Sequence, residues 1–258
     1  MANNKLNGFK IFDSHFHIID RHFPLVANDG YLPDAFTCGD YRLRTRHLNL
    51  AGGAVVSGSF HAFDQAYLRA ALAELGSGFV GVTQLPATVS DQAILTLDRT
   101  GVRAVRFNLR RGGSESVDAL ARLAARVYDL AGWHVELYVD ARALADLYSI
   151  LVALPALSID HLGISRQALP TVLKLVERGA KVKASGFGRV DCNIATVIRT
   201  IAAADPHALM FGTDLPSTRA PRAYVGADLW LIVDAVDEAL ARDILYNNAV
   251  TFYRVQPG

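Results

Sequence analysis

Eight short apolar or β-branched runs alternate with helical segments along 258 residues, and this alternation predicts an α/β fold, a (β/α)8 TIM barrel. An open doubly wound sheet has the same period, so two further observations favour closure. The first run continues into DSHFHIID, with no glycine where a dinucleotide-binding sheet places its phosphate loop. Polar and ionisable residues fall instead at the C-terminal ends of many different runs, where a closed barrel assembles its site.

The elements follow in order. Strand 1 is KIFDSHFH (10–17), after which residues 21–48 show no clear period and read as a long flap over the barrel mouth. Strand 2 is GAVVSGSF (53–60), followed by an Ala/Leu-rich helix at 64–75. Strand 3, FVGVTQ (79–84), leads to a helix over 90–101 that opens at Ser90 and closes at Gly101, as capping preferences require. Strand 4 is VRAVRFN (102–108), with a helix over 116–132. Strand 5, HVELY (134–138), and strand 6, LSIDH (157–161), precede a helix at 171–179. Strand 7 is AKVKAS (180–185), then a helix over 191–204, and strand 8 is ALMFGTD (208–214). Residues 1–258 read as one barrel domain, long enough to bury a substantial core.

Charge narrows the partners. Twenty-six basic residues balance 25 acidic ones without a basic stripe, so nucleic acid is not an expected partner. No apolar run reaches the length of a spanning helix, and Cys38 and Cys192 form neither a CxxC nor a disulfide framework. A cytoplasmic enzyme acting on a small molecule is the expectation; the sequence does not fix an oligomeric state.

Alternate residues of a strand share a face, so His15 and His17 project together into the mouth, with Asp13 one step deeper. Paired imidazoles are good ligands for a divalent cation such as zinc or manganese, although hydrogen-bonded histidines at a strand end have the same spacing. In a closed barrel, Asp214 ends strand 8 beside strand 1, and His161 ends strand 6. Four such side chains would meet in one small volume. Arg106 and Asn108 share a face of strand 4, while Arg189 and Arg219 follow strands 7 and 8; guanidinium groups there would clamp a carboxylate. Arg110, Arg111 and Arg222 fit surface charge. Lys183 shares a parity with Ser185 on strand 7 and is either a structural counter-charge or a site residue. Tyr138 ends strand 5 and His61 follows strand 2; both are substrate-contact candidates. His134 begins its strand and belongs to the stabilising end of the barrel. His22, His47 and His207 fit solvated loops, and Trp133 and Trp230 fit packing.

The ordered set DSHFHI, GVRAVRFNL, ELYVD, IDHLG, KVKASGFGRV, FGTDLP and NNAVTFYR resembles the amidohydrolase superfamily over nearly the whole chain. Within it the set is similar to the branch holding 2-pyrone-4,6-dicarboxylate lactonase and sugar lactonases. The resemblance implies a catalytic group of Asp214, His15, His17 and His161, and favours substrate-binding roles for Arg106 and Arg189. No lysine ends strand 4 to bridge two metals, and Tyr138 stands where many members carry a histidine, which argues against a binuclear centre. A mononuclear cation on His15, His17 and Asp214, with His161 as fourth ligand or substrate donor, and metal-free catalysis both remain open, since the branch holds metal-independent lactonases. HLGIS, with Ile164 and Ser165 before Arg166, departs from the branch pattern of an arginine just after the strand 6 histidine, so a dicarboxylate clamp is not assured. The leading expectation is lactone hydrolysis. A metal-dependent decarboxylase and a non-catalytic ligand-binding barrel are the alternatives.

Overall fold

The computed structural model describes residues 8–255. Its strands are β1 (Ile11–Phe16), β2 (Leu50–Val56), β3 (Phe79–Thr83), β4 (Val102–Asn108), β5 (His134–Tyr138), β6 (Leu157–Ile159), β7 (Lys181–Ala184) and β8 (Leu209–Phe211). They pair in parallel and in sequential order. No regular ladder joins β8 to β1. Two backbone bonds close the barrel: Asp214 N–H donates to His15 O and His17 N–H to Leu215 O, each at 2.7 Å. Closure therefore occurs at the residues that build the site. Gly212 permits it, because a Cβ there would lie 2.8 Å from His15 N and 2.9 Å from His15 Cβ.

The α-helices are α1 (Cys38–Thr45), α2 (Ala66–Leu75), α3 (Asp91–Arg99), α4 (Leu120–Ala131), α5 (Ala141–Asp146), α6 (Tyr148–Leu151), α7 (Leu169–Val176), α8 (Ile194–Ala204), α9 (Trp230–Val233), α10 (Glu238–Arg242) and α11 (Asn248–Tyr253). They pack by period. In α4, Leu120, Leu123, Ala124 and Val127 recur on one face and are all buried against the barrel. Truncating a leucine such as Leu123 to alanine costs about 2–5 kcal/mol through lost burial and the cavity left behind.

The main departures from the sequence reading lie at β2, β6, β8 and the stretch 21–48. β2 runs over Leu50–Val56 rather than 53–60, because the chain leaves the sheet at Ser57 and turns through a 3-10 segment, Ser59–His61. β6 and β8 stop short of His161 and Asp214, which sit in the turns beyond them with φ of 82° and 60°. The stretch 21–48 is only half a flap. Its second half is α1, started by a capping box between Thr37 and Asp40 and fixed by Tyr41, whose ring stacks on Phe16 at 3.8 Å. The first half does reach the mouth: Asn28 and Tyr31 pair as a bridge and meet Arg219 there.

Candidate active site

Asp214 occupies the centre of the mouth. Its backbone is in the left-handed region, which is strained for a non-glycine residue and turns the side chain into the barrel rather than along the sheet. Arg189 donates to Oδ2 from Nε at 2.9 Å and from Nη2 at 2.5 Å, so both donors anchor this one oxygen. Oδ1 is buried and has no hydrogen-bond partner. Around it stand His15 Nε2 at 3.8 Å, His17 Nε2 at 3.9 Å and His161 Nε2 at 3.8 Å. The four residues expected to meet do meet. Burial pushes the Asp214 carboxyl above its usual value, with Arg189 opposing the rise.

Each imidazole is aimed from behind. His17 Nδ1 lies 2.7 Å from Val56 O, and a carbonyl only accepts, so Nδ1 carries the proton and Nε2 presents a lone pair. Burial lowers the His17 pKa to about 3, which keeps the ring neutral. His17 is thus an acceptor or a ligand, and cannot polarise a carbonyl by donating. His161 reaches the mouth only because its φ is positive; Ser158 and Asp160 share the inward face of the strand path, and His161 would otherwise point away. Its Nδ1 meets Ser185 Oγ at 2.8 Å, and Gly186 leaves room, since a Cβ there would lie 2.7 Å from that nitrogen.

Two residues essential to this arrangement were not singled out from the sequence. Asp160 is buried beside His161; its Oδ2 accepts from Arg106 Nη2 at 2.7 Å, and its Oδ1 lies 3.4 Å from His15 Nδ1. Glu136, paired in register with Arg106, binds Lys183 through Oε2 and accepts from Tyr253 OH through Oε1. The signal was available, since Glu136 has the same strand parity as Tyr138.

The arginines sort differently from expectation. Arg106 is committed internally, donating to Ser57 O at 2.6 Å and to Asp160, with only Nε unpartnered. Arg189 is committed to Asp214. Arg219 donates to Asn28 Oδ1 at 3.2 Å and to Asn28 O, and lies 4.3 Å from the centre of the Tyr31 ring. Arg111, which the sequence assigned to surface charge, lines the cavity with these residues, and among the described residues no carboxylate lies within 4.0 Å of it. Arg222 pairs with Asp228 at 2.9 Å, and Arg110 is exposed, as expected of surface charge. Asn108 and Tyr138 line the same cavity; Asn108 Oδ1 caps the Arg111 N–H at 3.1 Å. His61 and Lys183 do not line it. His61 Nδ1 accepts from Gly58 N–H, and its ring stacks on Tyr67 at 3.7 Å, so it shapes the loop after β2. Lys183 is fully buried beneath His15, not beside Asp214.

The donor set suits one divalent cation. His15, His17 and Asp214 offer atoms within 4.8 Å of one another, and the buried Asp214 Oδ1 and His15 Nε2 lack partners. No lysine ends β4, whose last residue is Asn108, so nothing there would bridge a second ion.

A family model described as amidohydrolase matches residues 12–255. The 2-pyrone-4,6-dicarboxylate hydrolase of Comamonas testosteroni is 34% identical over 157 residues, covering 58% of this chain; the match spans 51% of that protein, about half its length. D-galactarolactone isomerase of Agrobacterium fabrum is 25% identical over 271 aligned positions, covering 95% of this chain and 91% of that protein. A solved structure from Pseudomonas putida, provisionally described as a 2-pyrone-4,6-dicarboxylic acid hydrolase, superposes with a TM-score of 0.81 at 25% identity, over 96% of this chain and 98% of that one. A match of this extent is decisive: the chain belongs to the amidohydrolase family of enzymes.

Proposed function

We propose that the protein opens the ring of a small lactone bearing a carboxylate, with Asp214 as general base on water. The observation that carries this reading is the bare Oδ1 of Asp214, faced by three imidazole nitrogens while Arg189 anchors the other oxygen. A water among these atoms gives its proton to Oδ1 while its oxygen attacks the lactone carbonyl. His17 Nε2 accepts the second water hydrogen and so orients the attacking lone pair. The tetrahedral intermediate collapses with cleavage of the ring C–O bond, and Asp214 returns the proton to the departing oxygen. That oxygen stays tethered and needs less acid assistance than an amine. A cation bound by His15, His17 and Asp214, with His161 as a possible fourth ligand, would supply Lewis-acid polarisation and a more acidic water.

Arg111 supplies an uncompensated positive charge on the cavity wall, which favours an anionic substrate. Two relatives carry lactone-related names, and one of them is an isomerase, so both hydrolysis and ring migration belong in the test. Purified protein, before and after chelation, is offered a panel of carboxylated and neutral lactones with a pH indicator and product NMR. Acid release from a carboxylated lactone, lost in Asp214→Asn, supports the proposal. Ring isomers without acid release point to an isomerase, and CO₂ from an enoic or aromatic acid points to a decarboxylase; either result replaces it.

A further inference from the structure

Beneath the mouth lies a second charged layer with no exposure to substrate. Lys183 on β7, fully buried, makes its shortest contact with Glu136 Oε2 on β5. The other Glu136 oxygen accepts from Tyr253 OH and lies 3.4 Å from His134 Nε2, so the carboxylate is held from both ends. Lys183 Nζ also lies 3.2 Å from His15 Nδ1 and 3.7 Å from Asp160 Oδ1. An ammonium has three donors and no lone pair. Its contact with His15 is a hydrogen bond only when Nδ1 is unprotonated, and the neutral ring then carries its proton on Nε2. Asp160 Oδ1, 3.4 Å from the same nitrogen, favours the opposite tautomer, being an acceptor only.

We infer that Lys183, anchored by Glu136, is a positioning residue that fixes the proton of His15 on Nε2. The floor of the site then presents an N–H donor toward the reacting oxygen atoms in place of a metal-binding lone pair. The inference rests on the proposed use of this mouth as the active site. The contrast with His17 is built in: Val56 O holds its proton on Nδ1 and leaves Nε2 free. Two histidines two residues apart, one on β1 and one just past its end, thus face the same water in opposite tautomers, one donating and one accepting. Loading a cation on His15 requires its proton to move to Nδ1, toward Asp160, and the Lys183 contact to break. Lys183 therefore biases the site against metal and toward the donor form.

The test reads the proton directly. Two-bond ¹H–¹⁵N correlations on histidine-labelled, chelator-treated protein, assigned with His15→Gln and His17→Gln, distinguish Nδ1–H from Nε2–H. The expected pattern is Nε2–H for His15 and Nδ1–H for His17; Nδ1–H at His15 overturns the inference, whatever the lactone panel shows. In a Lys183→Met/Glu136→Gln variant, which leaves no unpaired charge in that layer and keeps an acceptor for Tyr253, the His15 proton should shift to Nδ1. Zinc affinity by calorimetry should then tighten at least tenfold, and unchanged or weaker zinc binding in a folded double variant overturns the inference. Should that variant not fold, the spectrum of the unaltered protein still decides.

Discussion

At the β1–β8 seam, Asp13 has both carboxylate oxygens bonded: Thr213 N–H at 2.8 Å, Thr213 Oγ1 at 2.6 Å, Tyr41 OH at 3.0 Å and His15 N–H at 3.2 Å. At the mouth above, Asp214 gives one oxygen to Arg189 and leaves the other facing three imidazoles with no bond. The two are equally buried, at 0% and 1% exposure, and burial raises both carboxyls, Asp13 to about 6 against the pull of its hydrogen bonds. Burial and pKa do not tell them apart. What separates these two aspartates is their unmade hydrogen bonds and where the bare oxygen points: Asp13 has none unmade, whereas Asp214 keeps Oδ1 bare toward the cavity that it lines, at a cost of about 1–3 kcal/mol.

The largest expected effect falls on the mouth. Asp214→Asn should lower kcat/KM by about 10²–10⁴ with the thermal midpoint little changed. A variant that keeps its turnover would remove the distinction between the two aspartates. The seam should respond the other way. Asp13→Ala leaves the Thr213 and Tyr41 donors unpaired in the barrel interior and should cost about 3–5 kcal/mol in urea unfolding. Smaller again is the cavity wall: Arg111→Ala should raise KM for a carboxylated lactone about 10-fold or more, and leave a neutral lactone unaffected. Equal loss on both would reassign Arg111 to folding.

The smallest effect concerns pH. Burial holds the His61 pKa well below its usual value, so the ring is neutral in the fold and gains a proton on unfolding. The unfolded state then binds more protons below about pH 6.5, and stability falls as pH drops through that value. Replacing His61 with glutamine should recover about 1 kcal/mol of the loss between pH 7.5 and 5.5. An unchanged pH slope would mean that His61 titrates alike in both states.

Much of the site was legible because strand parity is a local property. His15 with His17, Arg106 with Asn108, and Tyr138 at a strand end all follow from alternation, and closure brings Asp214 beside them. Glu136 escaped although parity with Tyr138 placed it inward; Asp160 escaped because a regular strand ending in an inward His161 puts Asp160 on the other face, and only the positive φ at His161 brings both to the site. The pairing of the arginines escaped for a different reason. Parity shows which residues face the mouth but not which carboxylate reaches them first, and Arg106 and Arg189 are neutralised by Asp160 and Asp214 whereas Arg111 is not.

The order of the chain alone determined eight strands with intervening helices, and the residue types available at the rim, since apolar period and capping act over a few residues. Only the closed barrel decided how those residues pair. Contacts such as Lys183 with His15, or Asp13 with Thr213, join positions 168 and 200 residues apart, and a hydrogen bond is fixed by distances of a few tenths of an ångström. Local sequence does not encode such distances; they follow from the packing of all eight strands at once.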